Sequence, residues 1–127
     1  MATLSSIGAV ARTVGVSVEA VRYYEAEGLI APPRDDSGRR RYREVDVDAL
    51  RVITALRKAG FGIREIGDLM AVKRGEDSPV QRIDAGLAAL AQLARHLDER
   101  QAALDDARSL CQQWEGDLRT ARQQLAP

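Results

Sequence analysis

Residues 6–28 read SIGAVARTVGVSVEAVRYYEAEG, and the spacing within this stretch sets the architecture. Ser6 is placed to cap a short helix, Ile7 to about Arg12, with Ile7, Val10 and Ala11 along one face. The segment Thr13 to Val16 carries Gly15, which can turn the chain through a positive φ without a steric penalty. Ser17 then caps a second helix, Val18 to about Glu27, with Glu19 in its positive first turn and Gly28 at its end. Two short helices joined by a glycine-containing turn form a helix-turn-helix pattern.

The next segment changes character. Pro32 and Pro33 forbid helix continuation, and Asp35-Asp36-Ser37-Gly38 is a turn cluster. Its flanks can pair as a short β-hairpin, a wing whose return arm carries Arg39, Arg40, Arg41 and Arg43. Strand alternation puts Arg39 and Arg41 on one face and Arg40 and Tyr42 on the other. One of these pairs must therefore point away from any ligand, or one member must pack inward.

A third helix is predicted from about Glu44 to Lys58, with Val47, Leu50, Ile53 and Leu56 as its apolar stripe and Gly60 as its stop. After Phe61-Gly62 a fourth helix runs from Ile63 to about Met70, with Ile63, Ile66 and Met70 inward. Lys73 to Ser78 reads as a hinge. Beyond Pro79, Ile83, Leu90, Leu97, Leu104, Cys111, Leu118 and Leu125 recur every seventh position, with Leu87, Leu93, Ala94, Ala107, Trp114 and Ala121 between them. That is a coiled-coil seam. A continuous helix would reach roughly 70 Å at 1.5 Å per residue. Gly86 and Gly116 weaken it, and of the two Gly116, nearer the chain end, is the favoured place for a break; whether the helix breaks there is left open. A lone helix cannot bury such a stripe, so a partner chain is implied, most simply an identical one. The predicted fold is all-α with a small β wing. It divides into a head at 1–75 and a dimerisation helix at 76–127.

Charge supports the same division. The 127 residues balance 19 Lys/Arg against 19 Asp/Glu, but residues 1–75 hold 13 of the cations and only 10 of the acids. A basic head on an acidic tail suits a protein whose head meets phosphate. The single cysteine, Cys111, rules out a disulfide within the chain. No membrane span or secretory signal is expected, so the chain reads as cytoplasmic. No Ser/His/Asp set, phosphate-cradling glycine loop or pocket of carboxylates appears, which argues against an enzyme. Cys111 and His96 are too few for a zinc site, and no metal or other cofactor is expected.

Several segments together resemble the MerR-type regulators. They are Ile7-Gly8-Ala9-Val10-Ala11, Gly15-Val16-Ser17, Val21-Arg22-Tyr23-Tyr24-Glu25, Gly28-Leu29-Ile30, Pro33-Arg34, Gly38-Arg39-Arg40-Arg41-Tyr42, Asp46, Leu50, Ile53, Leu56-Arg57-Lys58-Ala59-Gly60-Phe61 and Glu65-Ile66. The resemblance spans roughly residues 5–72 in order and spacing. It implies a winged helix-turn-helix head, an antiparallel two-helix coiled coil between subunits, and a homodimer on a palindromic promoter site. It also implies bending and untwisting of an over-long promoter spacer so that RNA polymerase can engage both elements. Gly62 stands where the usual cap of the fourth helix is Ser or Thr. Metal-responsive members carry at least two cysteines around a loop after the long helix, where this chain has Cys111 alone. The chain also ends too soon for the large ligand-binding domain of some drug-responsive members.

On this reading the second helix enters the major groove of double-stranded DNA. Ser17, Val18, Glu19 and Arg22 lie near its start, and Arg22 is placed for guanine or phosphate. Tyr23 is assigned to a phosphate, while Tyr24 divides between core and contact. In the wing, the resemblance favours Arg40 and Tyr42 on the DNA backbone, with Arg39 and Arg41 as the alternative pair. Arg57 and Lys58 close the third helix, where they complement its dipole and can reach phosphate. Dimerisation falls to Ile83, Leu87, Leu90, Leu97, Leu104, Cys111 and Leu118. Cys111 reads as a buried seam residue or a thiol sensor, and Trp114 as an interface residue or the wall of a small-ligand pocket. A promoter-binding regulator is the leading function. The alternatives are an architectural DNA-bending protein with no transcriptional role and a coiled-coil adaptor.

Overall fold

Helix caps decide where each element of the head begins and ends. A computed structural model describes residues 4–70 and 78–125. Helix α1 (Ile7–Val14) starts where the Ser6 hydroxyl accepts the Ala9 N–H at 3.2 Å, and α2 (Val18–Ala26) where Ser17 does the same for Ala20 at 3.1 Å. Helix α3 (Glu44–Lys58) opens on Asp46, whose carboxylate reaches back to the Arg43 N–H at 2.9 Å. Helix α4 (Ile63–Leu69) follows Gly62. The first three helices end alike, each with a backbone bond spanning six residues: Val16 N–H to Ala11, Leu29 N–H to Tyr24, and Phe61 N–H to Leu56. The turn between α1 and α2 needs φ +83° at Gly15, which a side chain would strain.

Packing follows the apolar stripes. Helix α1 lies against α2 and α3, and α3 against α4. Val10, Val21, Tyr42, Leu50, Ile53, Phe61 and Ile66 are the largest fully buried side chains. Of the residues expected to face inward on α4, Ile66 is buried and Ile63 and Met70 are half-buried.

The segment between α2 and α3 is where expectation and structure part. Among the described residues there is no strand. Two isolated antiparallel bridges, Arg34 to Arg40 and Ser5 to Tyr42, hold an otherwise irregular turn. Inside it the Asp35 N–H donates to Arg39 at 2.8 Å and the Arg41 N–H to Pro33 at 2.8 Å. Pro32 and Pro33 have no N–H to offer, so the outgoing arm cannot extend the ladder.

The chain divides into two compact units, Met1–Gly75 and Glu76–Pro127. The expected hinge, Lys73 to Ser78, lies outside the described residues except for Ser78. There the Ser78 hydroxyl accepts the Gln81 N–H at 3.2 Å and the Gln81 carbonyl oxygen accepts the Ser78 N–H at 2.8 Å, with Pro79 in the first helical position. Helix α5 (Pro79–Leu125) then runs for 47 residues. It passes through Gly116 without a break. Glu115 and Arg119 pair across that position at 2.7 Å, which offsets part of the glycine's cost. No helix among the described residues is long and apolar enough to cross a membrane.

Burial separates two neighbouring kinds of tyrosine. Tyr42→Ala is expected to cost about 3–5 kcal/mol, as for other aromatic deletions in a core. Tyr23→Ala, at a 45% exposed position, should stay within about 0.5 kcal/mol. Urea titration of both variants at equal protein concentration, followed by far-ultraviolet circular dichroism, measures the difference. Equal costs would contradict this core.

Candidate nucleic-acid interface

Two surface grooves of the head gather several of the predicted residues. Arg22 from α2 and Arg39, Arg40 and Arg41 from the turn line a surface groove of about 390 Å³, with Ser6 and Gly38 at its edge. Gly38 adopts φ +83° at the tip, so the arginines follow immediately after the reversal. A second open groove, about 400 Å³, is lined by Arg57 and Lys58 with Thr54 and Tyr24. Both are concave, cation-lined and open to solvent, which suits a polyanion better than an enclosed small molecule.

The arginines differ in what holds them. Arg34 donates to the Gly38 carbonyl at 2.9 Å. Arg40 donates to Glu25 of α2. Arg41 pairs with Asp35 at 2.9 Å and Arg43 with Asp46 at 3.0 Å. Among the described residues no group pairs with the guanidinium of Arg39 or of Arg22.

Asp35 organises the turn. Its Oδ1 accepts the Ser37 N–H at 2.9 Å, the Ser37 hydroxyl at 2.6 Å and the Arg39 N–H at 3.0 Å, while Oδ2 takes Arg41. The Ser37 hydroxyl and then the Arg41 guanidinium hold this carboxyl well below the usual aspartate range. The hydrogen bond to Glu25 raises the Arg40 value. Burial, reinforced by the Glu25 charge, pushes the Tyr42 phenol up. Tyr42 Oη and Glu25 Oε2 are both buried and hydrogen-bond to no described group.

Against expectation, Tyr42 is fully buried and cannot touch a DNA backbone. Arg40 is half-buried where Glu25 takes it, Arg41 is equally half-buried against Asp35, and Arg39 is the exposed member of the three. Tyr24, which the sequence left open, is core at 8% exposure, its ring tilted 54° against that of Tyr23. Arg22, Tyr23 and Glu19 are exposed, Val18 is half-buried, and Ser17 serves as the α2 cap. Arg57 and Lys58 are exposed at the α3 terminus, with Arg57 reaching the Phe61 carbonyl at 3.5 Å. On α5, Ile83, Leu87, Leu90, Leu97, Leu104, Cys111, Trp114 and Leu118 are all exposed, and only Leu93 is buried among the described residues of that helix. Those residues contain no group of three or more His, Cys, Asp or Glu placed to hold a metal ion.

Sequence reasoning missed Glu25 and Asp35. The signal for Glu25 was its place near the negative end of α2, where an acid is unfavourable unless a cation answers it. Asp35 carried a plainer mark, an Asx turn one residue into the cluster that precedes Gly38.

A helix-turn-helix pair beside an arginine-lined turn defines a DNA-binding head. Comparison with known proteins makes the class specific. Residues 5–73 match the MerR HTH family regulatory protein family, and residues 47–114 match the MerR, DNA binding family. The HTH-type transcriptional regulator CueR of Salmonella typhimurium is 30% identical over 116 residues, spanning 88% of this chain and 83% of its own length. Heavy metal-dependent transcription regulator 2 of Rhizobium meliloti is 34% identical over 116 residues, spanning 90% and 79%. The crystal structure of a MerR family transcriptional regulator from Listeria monocytogenes superimposes with a TM-score of 0.54 at 29% identity, over 95% of this chain and 93% of that one. The chain belongs to the MerR family and is a DNA-binding transcriptional regulator. The matched proteins are regulators, not enzymes.

The Asp35 network predicts a pH response. A carboxyl whose folded value lies below its unfolded value stabilises fully above the latter, about 3.9, and loses that contribution as pH falls through the former. The turn is therefore expected to stay ordered at pH 5 and to loosen only in strong acid. Carbon-13 NMR titration of the Asp35 carboxyl checks this, and an ordinary titration near 3.9 would disprove the network.

Proposed function

We propose that the chain acts as a homodimer, joined by an antiparallel coiled coil of two α5 helices, on a palindromic promoter site. The observation that carries this reading is the bare seam of α5. Ile83, Leu90, Leu104 and Leu118 are each more than half exposed, and Leu97 is 39% exposed. Burying a leucine-sized side chain is worth about 1.5–3 kcal/mol, so a second helix of the same pattern gains from every heptad. The resemblance to MerR-type regulators supports the antiparallel arrangement, and two-fold symmetry supports a two-fold site.

Each head offers α2 to the major groove, with Arg22 on a base or phosphate and Ser17, Val18 and Glu19 along the entry. Tyr23 donates to a phosphate. The turn around Gly38 acts as the wing and offers exposed Arg39 to the backbone, with Arg40 and Arg41 braced beside it by Glu25 and Asp35. Arg57 and Lys58 hold a further stretch of phosphates. The two heads distort the promoter spacer, so that RNA polymerase engages both promoter elements. Cys111 and Trp114 mark where an effector would act on α5.

Footprinting on the chain's own upstream region, with sedimentation of the same preparation, tests the reading. A protected palindrome and a dimer are expected. Leu97→Asp with Leu104→Asp should give monomers with folded heads and a loss of site affinity of at least about a hundredfold, since one head keeps only half the contacts. A wild-type monomer, or no protection of any duplex, would sink the proposal. In vitro transcription from the protected site separates spacer remodelling from DNA bending that leaves transcription unchanged.

A further inference from the structure

We infer that Glu25 is a positioning residue for DNA binding: it holds Arg40 as a strut between α2 and the wing, leaving Arg39 as the wing's free cation for phosphate. The inference rests on the reading of this face as the DNA surface.

Glu25 and Arg40 are 15 residues apart in sequence and join two different elements. Glu25 is mostly buried, with 19% of its side chain exposed, and Arg40 is at 36%. An acid on a face that meets phosphate opposes binding by its charge. An acid near the C-terminus of α2 also opposes the helix dipole. Arg40 answers both costs. Fully buried Tyr42 lies two residues on, so the arm is anchored in the core beside the pair. The pair therefore sets the distance and angle between the recognition helix and the wing, while its charges cancel.

Two of the other arginines also meet an acid, and a third donates to a neutral carbonyl while keeping its charge. Arg34 is held by the Gly38 carbonyl, Arg41 by Asp35 and Arg43 by Asp46. Arg39 shares the groove with Arg22, and neither has an acidic partner among the described residues. Counting arginines in sequence overstates the charge this turn delivers to DNA.

Simple electrostatics and the strut predict opposite signs for Glu25→Gln. If Arg40 were a phosphate contact restrained by Glu25, removing the acid would release it, tighten binding and steepen the salt dependence. A strut predicts weaker binding, by roughly tenfold for one lost charge-assisted hydrogen bond, with the salt slope unchanged. The experiment titrates full-length variants against duplex DNA from the chain's own upstream region over a range of KCl concentrations. Glu25→Gln, Arg40→Gln and the double variant should show the same loss, because each breaks one shared contact. Arg39→Ala should lower the slope by about 0.9 for each phosphate it neutralises. Circular dichroism melting accompanies each variant. If Glu25→Gln unfolds the head, the more exposed Arg40→Gln supplies the same reading. Tighter binding by Glu25→Gln, or a double variant with summed losses, overturns the inference. If Arg22→Ala and Arg39→Ala both leave affinity and slope unaltered, the DNA surface itself is misplaced, an outcome separate from the Glu25 result.

Discussion

The head is organised around the burial of Tyr42. Its ring is fully enclosed, and its backbone exchanges two hydrogen bonds with Ser5, at 2.8 and 2.9 Å, just before α1 begins. One residue thus ties the N-terminal segment, the end of the arginine-rich turn and the approach to α3 into one core. Its neighbours are held separately: Arg40 and Arg41 are both half-buried, against Glu25 and Asp35, and Arg39 is exposed. The acid Glu25 stands where Arg40 arrives, two residues before the buried ring, so an ion pair ties α2 to the turn beside the core.

The helices were legible because their signals are local. Ser6 and Ser17 are cap residues read within four positions, and α1 and α2 start where those caps predict. The stripe of α3 closes on itself through Leu50, Ile53 and Leu56, all buried. The wing was less legible. Alternation presented two faces without saying which was the core, and the resemblance placed Tyr42 on DNA where the structure buries it. The deciding contacts, Tyr42 with Ser5 and Arg40 with Glu25, join residues 37 and 15 positions apart, which no local rule reaches. The missing strands have a nearer cause, since Pro32 and Pro33 were visible and their effect on the ladder was undervalued.

The long helix shows the opposite balance. Its heptads were plain, and so was the want of a partner, because an apolar residue every seventh position has no other use on an exposed helix. What the pattern left open was the effect of one glycine. Gly116 costs about 1 kcal/mol in a helix interior, but a break would also forfeit backbone bonds on both sides of it. It would release the Glu115–Arg119 pair as well. A penalty of that size bends a marginal helix and leaves a 47-residue one continuous.

The charge pattern bears on how such a head discriminates among sequences. Affinity for any duplex grows with each phosphate a protein neutralises, whatever the bases. A turn that offered Arg34, Arg39, Arg40, Arg41 and Arg43 without partners would bind DNA tightly and indifferently. Here Glu25, Asp35 and Asp46 absorb three of those charges and a carbonyl engages a fourth. If this face meets DNA as proposed, the sequence-independent term shrinks, and a larger share of the binding energy falls to α2 and to the fit of the braced turn. Rigidity matters more when the duplex must be deformed, because a loose wing would follow the DNA instead of imposing a shape on it. The net charge of zero, which at first counts against a DNA-binding protein, is then in part the cost of fixing the wing in place.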